Sequence, residues 1–366
     1  MRPLHLHLMA KETSRWISDK TGENFGILHA NIWLCPPHQK KILCQWVHLD
    51  QKDAFVISKL SLGSGGQSKV LAGVSIQGKP LAVLKNEDGR GYREEEISIL
   101  KSLKESPHVI HLFDGNSDYL IEEYAPYCLF NLTKTPNQHP EFNHDEKHFS
   151  ITRDILEGLA DIHAKGIIHS DIKLENILLR KEGTALIADF GLSVKVASGQ
   201  VHAGSFGYYA PEQMKSILSY LGESRTFYKL TTKVDIWQGM TALAHYHLPR
   251  LSSAYQERFH EYQEDLSRIF DEAMTEAEEL ANQASPDVQA KVLTRKQHEL
   301  FARKLDQYFD EKRARRDGLF ADLPVTSPLE NILNQMGQFD PEKRPDAPDA
   351  LGMLNATNAK NLTASL

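Results

Sequence analysis

Two carboxylates, an ammonium and an amide crowd one short stretch of this chain. From Ile167 to Leu192 it reads IIHSDIKLENILLRKEGTALIADFGL, with Asp171, Lys173 and Asn176 ahead of an apolar run and Asp189 after the next one. The two runs break at Lys181-Glu182-Gly183, so a short hairpin is expected. A hairpin returns its ends to one place, and all four polar groups can then share a site. Phosphoryl transfer from ATP uses such a set. One acid orients the attacking hydroxyl, and a second acid with an amide holds magnesium on the phosphates.

Several elements must position these groups. Phe149–Lys165 has Ile151, Ile155, Leu159 and Ile162 at helical spacing and leads through Gly166 into the polar stretch. Nearer the N-terminus, Leu62–Val70 (LGSGGQSKV) lies between two apolar runs. Strand, turn, strand is the expected order there, which disfavours a dinucleotide fold, whose glycines open a helix. Leu81–Lys85 (LAVLK) reads as a strand ending in a lysine. Arg93–Leu103 (REEEISILKSL) has a helix face at 97, 99, 100 and 103. Within Leu251–Phe320, Tyr255, Phe259, Tyr262, Leu266 and Ile269 recur at heptad-like spacing. Ser285-Pro286 breaks the pattern and suits an N-cap and first helical position. A second run follows through Val288, Val292, Phe301, Leu305 and Tyr308. Two long antiparallel helices are expected, forming an exposed hairpin outside the chemistry. Arg313, Arg315 and Arg316 would be its solvated basic tip.

The chain of 366 residues suits one two-lobed protein, and 41% apolar with 25% charged residues is ordinary for a globular one. A net charge of −7 gives no electrostatic case for nucleic acid. No apolar run is long enough to span a bilayer, and the N-terminus lacks a signal-peptide core. Three cysteines, Cys35, Cys44 and Cys128, are too few for a disulfide framework and point to a reducing compartment. Residues 1–53 read as a small extension packed against the next lobe, with a strand within Ile42–Leu49. Cys35, His38, Cys44 and His48 offer four zinc ligands, but their loops do not fit the common finger spacings.

H-x-D-x-K-x-x-N followed by D-F-G resembles the catalytic loop and metal-binding motif of the eukaryotic-type protein kinase superfamily, with Ser170 where most members carry Arg. The resemblance runs from about Leu60 to Leu354, interrupted by 251–320. It implies an α+β, bilobal fold. A small β-rich lobe (54–123) would sit over a larger helical lobe (124–366) that carries the helical-hairpin insertion, with ATP in the cleft.

The same resemblance assigns roles. Asp171 accepts the proton of the acceptor hydroxyl or orients that hydroxyl, Lys173 neutralises charge on the γ-phosphate, and Asn176 and Asp189 hold Mg2+. Gly63, Ser64, Gly65, Gly66 and Ser68 form the glycine-rich loop, with Ser68 where the family has a third glycine. Lys85 contacts the α- and β-phosphates and pairs with Glu96, or with Glu94 or Glu95 in another register. Val70, Ala82 and Leu178 enclose adenine, and backbone groups from Glu123 to Ala125 bind its edge. Glu122 stands at the usually apolar gatekeeper position. Gly204–Glu212 (GSFGYYAPE) resembles the protein-substrate loop, where the Ser205 hydroxyl would bridge Asp171 and Lys173. Asp235 would brace the catalytic loop, and Arg344 would pair with Glu212.

The implied activity is a serine/threonine protein kinase acting on protein hydroxyls. A small-molecule or lipid kinase and a pseudokinase binding module are the alternatives. The insertion would take a regulatory protein. The sparse cysteines point to a cytoplasmic or otherwise reducing compartment, and a loose resemblance of the divergent motifs to bacterial effector kinases adds delivery into a host cell as a variant. Ser170 carries no charge to be neutralised by a loop phosphate. Activation without phosphorylation is therefore expected, although Ser193, Ser198 and Tyr208 offer acceptors.

Overall fold

The computed structural model describes residues 32–34, 42–48, 54–64, 68–75, 80–86, 94–196, 204–222, 229–283 and 289–364. It divides into two compact units. One is Met1–Tyr127 with Leu178–Glu182, and the other is Cys128–Ile177 with Gly183–Leu366.

The first unit is built on a seven-stranded sheet. Its strands are β1 (Ile32–Leu34), β2 (Ile42–His48), β3 (Ala54–Ser64), β4 (Ser68–Ser75), β5 (Pro80–Asn86), β6 (Leu112–Gly115) and β7 (Tyr119–Glu123). The order is β1-β2-β3-β4-β5-β7-β6, antiparallel throughout. Alternation along β5 explains its place: Leu81 and Val83 are buried, and Ala82 and Leu84 are half-buried. Leu81, Val83 and Ile121 form a core, with Leu71 and Tyr119 packed against it. The expected strand near Ile42 is β2. It enters the same sheet as β3, so the extension continues the sheet. The zinc reading falls largely outside the described residues, because Cys35 and His38 are among the undescribed ones. The β3–β4 register shifts between Ser61 and Gly63, a bulge of the kind glycine favours. Gly65 and Gly66 lie outside the described residues. Helix α1 (Glu94–Ser102) opens with three glutamates, which suit the positive end of the helix dipole.

The second unit is mostly helical. Its elements are α2 (Leu129–Lys134), α3 (Asp145–Ala164), the short strands β8 (Ile167–Ile168), β9 (Ile177–Leu179, of which only Ile177 belongs to this unit), β10 (Ala185–Ile187) and β11 (Val194–Lys195), then α4 (Pro211–Tyr220), α5 (Lys233–His247), α6 (Ser253–Ala281), α7 (Gln289–Arg313), α8 (Pro328–Met336) and α9 (Ala347–Ala364). The stripe Ile151, Ile155, Leu159 and Ile162 of α3 is buried as its spacing requires. Helix α5 is apolar on nearly every side and buried on nearly every side, the pattern of a core helix.

The two expected insertion helices are α6 and α7, and they pack together along the seam Tyr255, Phe259, Tyr262, Leu266 and Ile269. The hairpin is not a detached feature. Trp237 of α5 lies 6.4 Å from Tyr262, 5.7 Å from Phe309 and 5.8 Å from Phe339, ring centre to ring centre. Helix α7 also packs on α4. The reason is aromatic volume: Trp237 needs a cover, and the inner face of the hairpin supplies it. The base of α6 is clamped by Glu330, whose carboxylate accepts from the Ser252 N–H at 2.8 Å and the Thr326 N–H at 2.7 Å. Burial opposes the Glu330 charge, but hydrogen bonds from Ser252 and Thr326 outweigh it and hold the pKa below the usual range. Ser285-Pro286 lies outside the described residues.

Candidate active site

The polar stretch after β8 is held from beneath by two side chains of α5. Asp235, fully buried, accepts from the His169 N–H (2.8 Å), the Ser170 N–H (2.8 Å) and His163 Nε2 (2.9 Å). Gln238 accepts from the Ile172 N–H at 2.9 Å and donates to the Ser170 carbonyl at 2.8 Å. Between these braces Ser170 takes φ +70°, a left-handed conformation that a side chain resists by about 1–2 kcal/mol. The braces fix the backbone on both sides of Ser170 and so present Asp171.

Asp171 is 4% exposed. Its Oδ2 accepts from Lys173 Nζ at 2.7 Å and Asn176 Nδ2 at 3.2 Å. Its Oδ1 is buried and has no protein partner. Lys173 Nζ also donates to Ser205 Oγ at 2.6 Å. The bridge is thus Lys173, standing between the acid and the serine, and not the Ser205 hydroxyl. Asn176 Nδ2 donates to the Asp171 carbonyl at 2.9 Å as well, which commits the amide nitrogen and leaves its oxygen as the remaining donor to a cation.

The hairpin closes as expected. The Ala188 N–H donates to the Asn176 carbonyl at 2.9 Å, which brings Asp189 beside the Asp171–Asn176 stretch. His169 accepts from the Asp171 N–H at Nδ1 (3.2 Å) and donates from Nε2 to the Ala188 carbonyl (3.1 Å). Those bonds assign a neutral ring with its proton on Nε2. Asp189 is exposed at φ +66°, a conformation aspartate tolerates better than most residues.

Ser205 is anchored by its neighbours. Tyr209 donates to the Gly204 carbonyl at 2.7 Å, and burial, with Asp171 adding, pushes its phenol up to about 12. It therefore stays a donor at neutral pH. A Cβ on Gly204 would stand 3.2 Å from the Ser170 carbonyl, a tight contact that a larger residue could keep only if the Ser170 backbone gave way by a few tenths of an ångström. Further on, Glu212 and Arg344 form a two-pronged pair at 2.6 and 2.9 Å. The guanidinium also donates to the Gln338, Lys233 and Phe339 carbonyls and lies 5.1 Å over the Trp237 ring.

On the β-rich unit, Lys85 is exposed on β5, in register with Lys69, while Glu96 is buried in the first turn of α1. Val70 pairs with Leu84 across the sheet, and Ala82 with both Ala72 and Glu122. Glu122 is buried. The Glu123 carboxylate takes Arg180 Nε at 2.8 Å and Nη2 at 2.9 Å. Its N–H donates to the His111 carbonyl, so Glu123 has no N–H left for adenine. Ser193 is fully buried with its hydroxyl on the His169 carbonyl at 3.2 Å, which removes it as a phosphate acceptor. Ser198 lies outside the described residues.

Two residues of the site escaped sequence reading, Gln238 and Gln213. Gln213 accepts from the Ala210 N–H at 2.7 Å and meets Gln238 at 3.3 Å. Glutamines carry no motif, and only a buried position on α5 next to Asp235 could have marked Gln238.

A β-rich unit, a helical unit and an Asp–Lys–Asn cluster beside D-F-G are the parts of a protein kinase domain. Residues 57–354 match the protein kinase domain, and the chain belongs to that family. Over 194 residues it is 36% identical to a probable serine/threonine-protein kinase of Encephalitozoon cuniculi, covering 50% of this chain and 36% of that protein. NUAK family SNF1-like kinase 2 of Rattus norvegicus is 35% identical over 167 residues, which is 42% of this chain and 26% of that one. Serine/threonine-protein kinase GIN4 of Saccharomyces cerevisiae is 35% identical over 174 residues, 46% of this chain and 14% of its own. The matched stretch thus spans about a third or less of each of these relatives. Among the described residues no helix is long and apolar enough to cross a membrane.

Proposed function

We propose that this chain is a serine/threonine protein kinase that uses ATP and Mg2+. One observation carries the reading. Asp171 has one carboxylate oxygen committed to Lys173 and Asn176 and the other buried without a partner. A buried acceptor without a donor is costly, and a substrate hydroxyl would satisfy it. Asp171 then orients that hydroxyl and takes its proton as the oxygen's bond to the γ-phosphorus forms and the bond from that phosphorus to the β-phosphate oxygen breaks, releasing ADP. Lys173 faces the charge of the transferred group and holds Ser205 beside it. Asn176 and Asp189 offer oxygen donors, the donor type Mg2+ prefers. The bound ion would neutralise charge on the ATP phosphates. On the β-rich unit, Lys85 and Glu96 are the residues assigned to those phosphates. The glycine-rich loop (Gly63, Ser64, Gly65, Gly66, Ser68) would cover them, and Val70, Ala82 and Leu178 would take adenine with Glu123 and Ala125. Lys173 and its link to Ser205 favour serine or threonine acceptors. All four catalytic and metal positions are filled, which speaks against a pseudokinase.

The test is incubation with labelled ATP, Mg2+ and a generic basic protein, beside Asp171→Ala. Removal of a general base should lower transfer by roughly 10²- to 10⁴-fold. Label on serine and threonine in the wild type supports the reading, and equal labelling by Asp171→Ala overturns it.

A further inference from the structure

The direction in which Asp171 points is set by the two peptide groups that flank it. The Ser170 carbonyl belongs to the peptide before it, and the Ile172 N–H to the peptide after it. One side chain holds both. Gln238 Nε2 donates to the Ser170 carbonyl at 2.8 Å, and Gln238 Oε1 accepts from the Ile172 N–H at 2.9 Å. A primary amide carries donor and acceptor side by side, so glutamine can do both where Asp235, one turn earlier on α5, can only accept.

The Gln238 amide has a second N–H, and it goes to Gln213 Oε1 at 3.3 Å. The same Gln213 oxygen accepts from the Ala210 N–H at 2.7 Å. Gln213 is the third residue of α4, so ordinary capping explains its bond to Ala210. Capping does not explain the rest. A capping side chain works as well in water, yet Gln213 and Gln238 are both 0% exposed. Gln213 Nε2 is buried without a protein partner, a penalty that methionine or leucine would avoid. The residue is thus spent on its oxygen, which joins α4 to α5. A Cβ on Gly204 would stand 3.4 Å from the Nε2 of each glutamine, so the 204–213 segment closes over the pair. That segment also reaches the acid from the other side, through Ser205, Lys173 and Asp171 at 2.6 and 2.7 Å.

We infer that Gln213 and Gln238 are positioning residues that couple the seating of the 204–213 segment to the orientation of Asp171. For its effect on transfer the inference rests on the kinase reading above. With the segment seated, Gln213 holds the Gln238 amide, and that amide fixes both peptides around the acid. With the segment displaced, the amide loses its outer acceptor and both peptides loosen. Every group in this run of bonds is uncharged, so no added phosphate is needed to complete it.

The experiment uses the full chain with Gln213→Met, Gln238→Met and the double variant, since methionine keeps the length and loses the bonds. Hydrogen exchange read by mass spectrometry follows segments 168–174 and 204–213 separately and needs no transfer. Gln213→Met should speed exchange in both segments, by about fivefold or more. In steady-state transfer it should lower kcat roughly tenfold with KM for ATP unchanged. Gln238→Met should lower kcat by roughly 10²-fold. The double variant should be no slower than Gln238→Met, because Gln213 acts through Gln238. Gln213→Glu should recover most of what Gln213→Met loses, because a carboxyl group in either protonation state keeps an oxygen for Ala210 and Gln238. Should Gln238→Met fail to fold, the two Gln213 variants carry the test, and equal defects in both overturn the inference. Faster exchange confined to 204–213, or losses that multiply in the double variant, also overturns it and leaves the kinase reading intact. Coupled exchange in a protein that transfers no phosphate keeps the link and defeats the kinase reading.

Discussion

Replacing Ser170 by glycine should stabilise this protein. Ser170 is 1% exposed, its hydroxyl has no partner, and its φ is +70°. Asp235 and Gln238 hold its N–H and carbonyl at 2.8 Å each, so the backbone should keep its shape without the side chain. Glycine removes the left-handed penalty, about 1–2 kcal/mol. It also removes a buried unpaired hydroxyl, worth about 1–3 kcal/mol. Against this, the unfolded chain gains freedom, about 0.5–1 kcal/mol. The net gain is about 2 kcal/mol, or a Tm higher by roughly 3–8 °C for a unit of this size. Ser170→Ala removes the hydroxyl and keeps the φ penalty, so it should gain only about 1 kcal/mol. Urea unfolding followed by circular dichroism, with scanning calorimetry, measures both. A Ser170→Gly variant no more stable than wild type refutes the reasoning. Equal gains for alanine and glycine would show that the left-handed turn costs no more than glycine's unfolded-state freedom, about 0.5–1 kcal/mol.

Three other outcomes are expected. Glu212→Ala leaves Arg344 buried without its carboxylate and should lower stability by about 3–5 kcal/mol; a loss under about 1 kcal/mol in urea unfolding contradicts the pair's role. His148 and His247 sit 5.3 Å apart, and burial lowers them to about 4 and about 3. Unfolded histidines titrate near 6.5, so the unfolded chain binds more protons below that pH. Stability should fall as pH drops from 7 to 5, by about 2 kcal/mol for each ring. His148→Phe should flatten that slope by about half, and an unchanged slope contradicts it. Finally, phosphatase-treated protein should phosphorylate substrate without a lag, since Ser170 has no charge and Ser193 is buried. A lag removed by ATP pre-incubation, and lost in Ser198→Ala, would show a loop switched by phosphate.

The chemistry was legible in the sequence because its residues lie close along the chain. Asp171, Lys173 and Asn176 fall within six residues, and one hairpin brings in Asp189, so local geometry nearly assembles the set. Periodicity likewise marked α3, α6 and α7, since burial on one face leaves a repeat of three and four. Pairings across long separations were open only to motif resemblance, as with Asp235 under Ser170 and Arg344 on Glu212. Gln238, Gln213 and the rings around Trp237 had no such marker, because a glutamine or a phenylalanine looks alike on a surface and in a core. Tertiary packing alone decided that Lys173 bridges Asp171 to Ser205. It also decided that Ser193 is sealed beneath His169 and that the insertion closes over Trp237. The physical reason is the same in each case: these contacts join residues whose chain separation far exceeds any local repeat, and only folding makes them neighbours.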